Sequence, residues 1–84
     1  MFIGAKMKLM ALNLPRDFNQ RDLEKLFKVH GAVTACTLVL DGKSGASKGF
    51  GFVEMTHEGD ALEAIKKLHG TKVNKKKIRV KPAA

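Results

Sequence analysis

The most informative spacing in this chain is a pair of phenylalanines two residues apart, in Lys48-Gly49-Phe50-Gly51-Phe52-Val53-Glu54-Met55. In a strand, alternate residues share a face. Lys48, Phe50, Phe52 and Glu54 then lie on one side, and Gly51, Val53 and Met55 on the other. Val53 and Met55 are natural core residues, so both rings are expected to point away from the core. Adjacent exposed aromatics cost solubility, and a thin-cored domain would normally bury them. Flat rings flanked by lysine suit a single-stranded nucleic acid. Each base has a face to stack, worth about 1–3 kcal/mol, and each phosphate needs a cation. The competing reading is that the rings pack under a terminal segment or against a protein partner.

The charge balance points the same way. Sixteen basic residues against eight acidic ones leave a formal net charge of +8. The stretch from Lys66 to Lys81 carries eight of those cations and no acidic residue. Such a surface suits a polyanion, although a solvated face that keeps the protein soluble is an equal alternative. With 84 residues there is room for one small domain. A chain near this length buries only about 60% of its unfolded surface. Apolar residues make up 44%, too many for a disordered chain.

Other classes are disfavoured. A single cysteine, Cys36, forms no intramolecular disulfide, and three scattered histidines give no zinc-ligand spacing. No apolar run approaches the ~18–20 residues of a membrane span. Met1-Phe2-Ile3-Gly4-Ala5-Lys6 lacks the apolar core of a secretory leader. A reducing, cytoplasmic setting is therefore expected, or a nuclear one in a eukaryote. There is no nucleophile–base pair and no paired acids. Gly42 and Gly45 fall in a turn between strands, so they are no phosphate-cradling loop. The chain is not expected to be an enzyme, and no catalytic residue, metal or cofactor is assigned. Acidic residues in the expected helices (Asp22, Glu24, Asp60, Glu63) argue against membrane-surface binding.

The elements that must position Phe50 and Phe52 follow from periodicity. Residues 6–13 alternate as a strand, with Lys8, Met10 and Leu12 opposite Leu9 and Ala11. Asn13-Leu14-Pro15 ends it. Asn19 with Asp22 forms a capping box, and Leu23, Leu26 and Phe27 make one helical stripe that stops at Gly31. Val33 to Leu40 is a second strand, with Cys36, Leu38 and Leu40 alternating against Ala35, Thr37 and Val39. Residues 41–47 are turn chemistry. Gly49 to Met55 is the third strand. Thr56 is expected to cap a second helix with Ala61, Ala64, Ile65 and Leu68 inward, ended by Gly70. A short hairpin turns near Asn74, and Ile78 and Val80 are the inward residues of a fourth strand. The order is β-α-β-β-α-β, an α+β, ferredoxin-like arrangement. Its four-stranded antiparallel sheet carries both helices on one face, because each helix has one apolar stripe. The other face is left open.

Lys48 to Met55 resembles the octamer motif of the RNA recognition motif (RRM) family at every position but the last, where Met55 replaces an aromatic. Leu9 to Pro15 resembles the family's hexamer. Asp22 to Phe27 with Gly31 resembles its first helix, Asp41 to Phe50 its loop into the octamer, Asp60 to Ile65 with Leu68-His69-Gly70 its second helix, and Ile78-Arg79-Val80 its last strand. The resemblance covers residues 6–82 as a single RRM domain, with 1–5 and 83–84 as short terminal extensions. It implies that Phe52 stacks a base, that Phe50 packs against a sugar or a neighbouring base, and that Lys48 pairs with a phosphate. It also implies that the last strand lies beside the first. Lys77, Arg79 and Lys81 would then face the open side with Lys8 and Met10, while Lys43 and Lys48 flank the other end. Met10 departs from the family, which has an aromatic there. A thioether can still lie on a base, so Met10 is either a weaker platform or a plain surface residue. His30 and His69 replace a common aromatic and a common asparagine and are read as structural.

The expected function is a module that binds single-stranded RNA, with single-stranded DNA as a second candidate ligand. Its expected role is post-transcriptional RNA regulation or processing. The candidate RNA-binding residues are Lys8, Met10, Leu12, Asn13, Lys43, Lys48, Phe50, Phe52, Glu54, Lys77, Arg79 and Lys81. Glu54 either accepts from a base amino group or tunes the register. The alternative is a protein–protein interaction module on an RRM-like fold. A monomer is expected. Such a short domain is consistent with a small bacterial RNA-binding protein and with an excised eukaryotic domain.

Overall fold

The computed structural model describes residues 5–83. Of the expected terminal extensions, residues 1–4 and 84 lie outside the described residues. The elements run β1 (Met7–Leu12), α1 (Gln20–Lys28), β2 (Val33–Leu40), β3 (Ser47–Met55), α2 (Glu58–Leu68), β4 (Lys72–Val73), β5 (Lys76–Lys77) and β6 (Arg79–Pro82). Four of the strands form an antiparallel sheet in the order β2-β3-β1-β6. β4 and β5 make a separate two-stranded hairpin. This is the ferredoxin-like arrangement with an added hairpin before the last strand.

Alternation decides which sheet face is dry. Leu9 and Ala11 of β1, Val53 and Met55 of β3 and Val80 of β6 are buried with Leu23 and Phe27 of α1 and Ala61, Ala64 and Leu68 of α2. Both helices therefore cover the same side. Gly51 makes this packing possible. A Cβ there would lie 2.6 Å from the Thr37 carbonyl oxygen and 2.7 Å from Leu23 Cδ2. Only glycine lets α1 approach β3 so closely.

Helix α1 begins as its sequence dictates. Asn19 Oδ1 accepts from the Asp22 amide at 2.7 Å, and the Asp22 carboxylate accepts from the Asn19 amide at 3.1 Å. Such caps contribute about 0.5–2 kcal/mol. Helix α2 differs from expectation. His57 is its N-cap, and no side chain caps it. Thr56 remains tied to the sheet, because its N–H donates to Ala32 O at 3.1 Å. Its hydroxyl pairs with that of Thr34 at 2.7 Å and is not aimed at the helix. Glu58 and Asp60 in the first turn supply favourable charge instead.

Leu40 borders one groove with Leu38, Phe18 and Gln20, so it keeps the Leu38 side of β2, but at the strand end it is 52% exposed. One other expectation changes. Lys77 is not part of the four-stranded sheet. It pairs with Lys72 across the β4–β5 hairpin, whose turn residues Asn74 and Lys75 both have positive φ (48° and 72°). Ile78 exchanges hydrogen bonds with Gly70 and Thr71, sinks into the core and separates Lys77 from β6.

His69 serves the fold. Its Nδ1 lies 3.1 Å from the Val80 amide nitrogen, so a ring unprotonated at Nδ1 accepts that N–H. This satisfies a donor on β6 at the edge of the sheet.

Candidate nucleic-acid interface

The uncovered sheet face carries the residues that alternate with the core. On β3 these are Lys48, Phe50, Phe52 and Glu54; on β1, Lys8, Met10 and Leu12; on β6, Arg79 and Lys81. Register sets their neighbours. Phe52 stands between Met10 on β1 and Thr37 on β2, and Phe50 opposite Leu12. Lys81 is opposite Met10, and Arg79 opposite Leu12. Glu54 stands between Lys8 and Ala35. Phe50 and Phe52 remain partly exposed, their ring centroids 6.3 Å apart and their planes at 83°. They form an edge-to-face pair, so the faces of the two rings are presented in different directions. The Lys8 ammonium lies 5.2 Å from the Phe52 ring centre.

Two shallow grooves flank these rings. One, of about 250 Å³, is lined by Lys8, Ala35, Cys36, Thr37, Phe52 and Glu54. The other, of about 280 Å³, lies at the opposite end of β3 and includes Phe50, Asn13, Arg16, Lys48 and Lys76. Gly49, with φ of 85°, shapes this second groove. Its carbonyl accepts from the Leu14 amide at 2.8 Å and pins the β1–α1 loop beside β3. A cluster of cations therefore surrounds the outer end of Phe50.

Most of the expected residues converge on this face: Lys8, Met10, Leu12, Lys48, Phe50, Phe52, Glu54, Arg79 and Lys81. Three stand apart. Asn13, at φ 59°, donates its side-chain amide to Lys77 O at 2.8 Å and anchors the hairpin against the end of β1. Lys77 contributes that carbonyl from the hairpin, outside the four-stranded sheet. Lys43 sits in the β2–β3 loop, its N–H held by Asp41 Oδ1 at 2.8 Å, and lines neither groove. Two amide donors, from Ser44 and Lys43, hold the exposed Asp41 carboxyl below the usual carboxylate range. Sequence reasoning missed Arg16, Lys76 and Thr37. The first two reach the site through the Gly49–Leu14 hydrogen bond and the Asn13–Lys77 link, which no local pattern announces. Thr37 needed the β2–β3 register.

Cys36 lies half-buried on the other side of β2, its thiol 3.6 Å from the Gln20 carbonyl. Burial, and then the nearby Glu24 charge, push its pKa up to about 11. It stays a thiol at neutral pH and offers no nucleophile. Among the described residues, no helix is long and apolar enough to cross a membrane.

Comparison with known proteins converges on one family. The model of the RNA recognition motif matches residues 11–79. A Sex-lethal homolog from Megaselia scalaris is 43% identical over 67 residues, 80% of this chain and 21% of that protein. The chloroplastic 28 kDa ribonucleoprotein of Nicotiana sylvestris is 42% identical over 71 residues, 84% of this chain and 26% of that protein. The chain thus spans about a fifth to a quarter of the length of these relatives. Among solved structures, a Sex-lethal protein/RNA complex superposes with a TM-score of 0.89 at 36% identity, covering 95% of this chain and 48% of that one.

Proposed function

The chain belongs to the RNA recognition motif family, and we propose that it binds single-stranded RNA on its open sheet face. The observation that carries this reading is the partly exposed Phe50–Phe52 pair on the face that neither helix covers, bordered by Lys8, Lys48, Arg79 and Lys81. Unpaired bases stack on the rings while the cations neutralise phosphates. Paired bases cannot splay onto the sheet, so duplex RNA binds poorly. Arg79 is the cation best suited to both tasks, because a guanidinium stacks on a base and also binds phosphate.

The folded unit is residues 6–82, acting as a monomer with no metal or cofactor and without catalysis. Single-stranded DNA is a second candidate ligand of the same face. The setting is a reducing compartment, the cytoplasm or a eukaryotic nucleus, and the role is regulation or processing of transcripts. The relatives described above come from a fly and a plant and lend no support to a bacterial source.

Fluorescence anisotropy with labelled single-stranded RNA, matched DNA and duplex RNA of about eight nucleotides tests the reading. Saturable single-strand binding that collapses in the Phe50→Ala/Phe52→Ala variant is expected. Neutralising about three to five phosphates gives a slope of log K against log salt of roughly −2 to −3.5. Binding that survives the double substitution and vanishes in salt would leave only the basic rim. An absence of binding at low salt sinks the proposal and turns attention to protein partners.

A further inference from the structure

The groove beside Phe52 pairs two opposite charges in a way that phosphate binding does not explain. Lys8 and Glu54 are directly opposed across β1 and β3. Both line this groove with Phe52, two residues before Glu54 on β3, and the edge strand β2 contributes Thr37. The Lys8 ammonium leans over the Phe52 ring. A carboxylate here opposes any nearby phosphate. It is an acceptor only, while lysine is a donor only. The pair therefore asks for a flat ligand whose edge offers N–H donors to one side and an acceptor to the other.

Building on the RNA-binding reading, we propose that this groove is a guanine-reading subsite in which Phe52 stacks the base, the two Glu54 carboxylate oxygens accept from N1–H and N2–H, and Lys8 donates to O6. Guanine has the only base edge with two adjacent N–H donors beside a carbonyl acceptor, so it alone occupies both carboxylate oxygens and the ammonium. Adenine and cytosine each offer one amino group next to a ring acceptor, so they engage one oxygen and the ammonium. Uracil offers one N–H between two carbonyls, and one of those carbonyls then faces the carboxylate. The order of preference is guanine, then adenine and cytosine, then uracil. A bidentate contact of this kind discriminates by about five- to 150-fold.

The test uses all-uridine RNA octamers carrying a single G, A, C or U at one central position, read by anisotropy at fixed salt. Wild type is expected to bind the G-containing octamer at least about fivefold more tightly than the all-U octamer. Glu54→Gln is expected to lose that preference, to within about twofold, and to bind all-U RNA more tightly than wild type does, because the carboxylate no longer repels it. Lys8→Ala should reduce the preference with Glu54 intact. Glu63→Gln, on the exposed side of α2, should keep the full preference. A melting curve of Glu54→Gln confirms that it is folded. Equal binding of the four octamers by wild type overturns the subsite and leaves the RNA-binding reading standing. A guanine preference that persists in Glu54→Gln also overturns it. No binding to any octamer overturns both readings.

Discussion

The Lys8 ammonium stands 5.2 Å from the centre of the Phe52 ring, although its partner across the strands is Glu54. The cation occupies the place where a base would stack. At an exposed site such a contact contributes about 0.5–1 kcal/mol. A base on the same ring contributes about 1–3 kcal/mol. Stacking wins, and Lys8 swings to the edge of the bound base. Phe52→Ala should therefore weaken single-stranded RNA binding by about five- to 150-fold. Lys8→Ala should weaken it less and should lower the magnitude of the salt slope if the displaced ammonium also meets phosphate. Parallel anisotropy titrations of both variants check the ranking. An equal or larger loss in Lys8→Ala would contradict it.

Met10 lies between Phe52 and Lys81 in the sheet. A flexible thioether there makes a softer platform than a ring. Met10→Tyr should tighten binding, by up to about tenfold if a second base gains about 1 kcal/mol or slightly more from stacking. A comparison of dissociation constants on the same octamer decides it. Unchanged affinity would mean that no base visits this position.

Gly51→Ala places a Cβ against the Thr37 carbonyl and Leu23. Neither the strand backbone nor the buried helix residue can yield easily. Overpacking of this kind costs about 1–3 kcal/mol. Chemical denaturation should show a lower midpoint with an unchanged slope. A loss under about 0.5 kcal/mol would indicate that α1 slides without penalty.

Lys75 occupies the left-handed region at φ 72°, directly after Asn74 at 48°. Two-residue hairpin turns of this kind favour Asn-Gly. Lys75→Gly removes the strain on a side chain and also frees the unfolded chain, and these effects oppose one another. A net gain of about 0.5 kcal/mol is expected. Thermal melts of the variant should shift upward, and a downward shift would contradict the turn assignment.

The Cys36 thiol has its pKa raised from 9.0 to about 11, by burial first and by Glu24 second. The unfolded thiol ionises first as pH rises, so the unfolded state binds fewer protons in that window. The stability associated with this group is full below pH 9 and is lost as pH passes from about 9 to about 11. Melts of wild type and Cys36→Ala across that range, taken as a difference, isolate it from lysine titration. A difference independent of pH would refute the assignment.

Much of the framework was legible in the residues. The alternation through Phe50, Phe52 and Val53 gave the two sheet faces, and Asn19 with Asp22 marked the start of α1, because both depend on interactions only a few residues apart. Thr56 misled for the opposite reason. It has the right chemistry for a cap, but a hydrogen bond to Ala32 keeps it in the sheet. Lys77 misled because the alternation of the last strand was extended through Ile78, where the chain crosses from hairpin to sheet.

Local sequence by itself determined the element types, the helical stripes and the aromatic pair, since backbone period and side-chain hydrophobicity act along the chain. Tertiary structure decided which cations share the site. Arg16 and Lys76 come to Phe50 through a loop pinned on Gly49 and a hairpin held by Asn13. Lys8, Thr37 and Glu54 meet around Phe52 only because three strands are in one register. Long-range hydrogen-bond pairing sets that register, and a shift of one residue would send every one of these side chains to the other face.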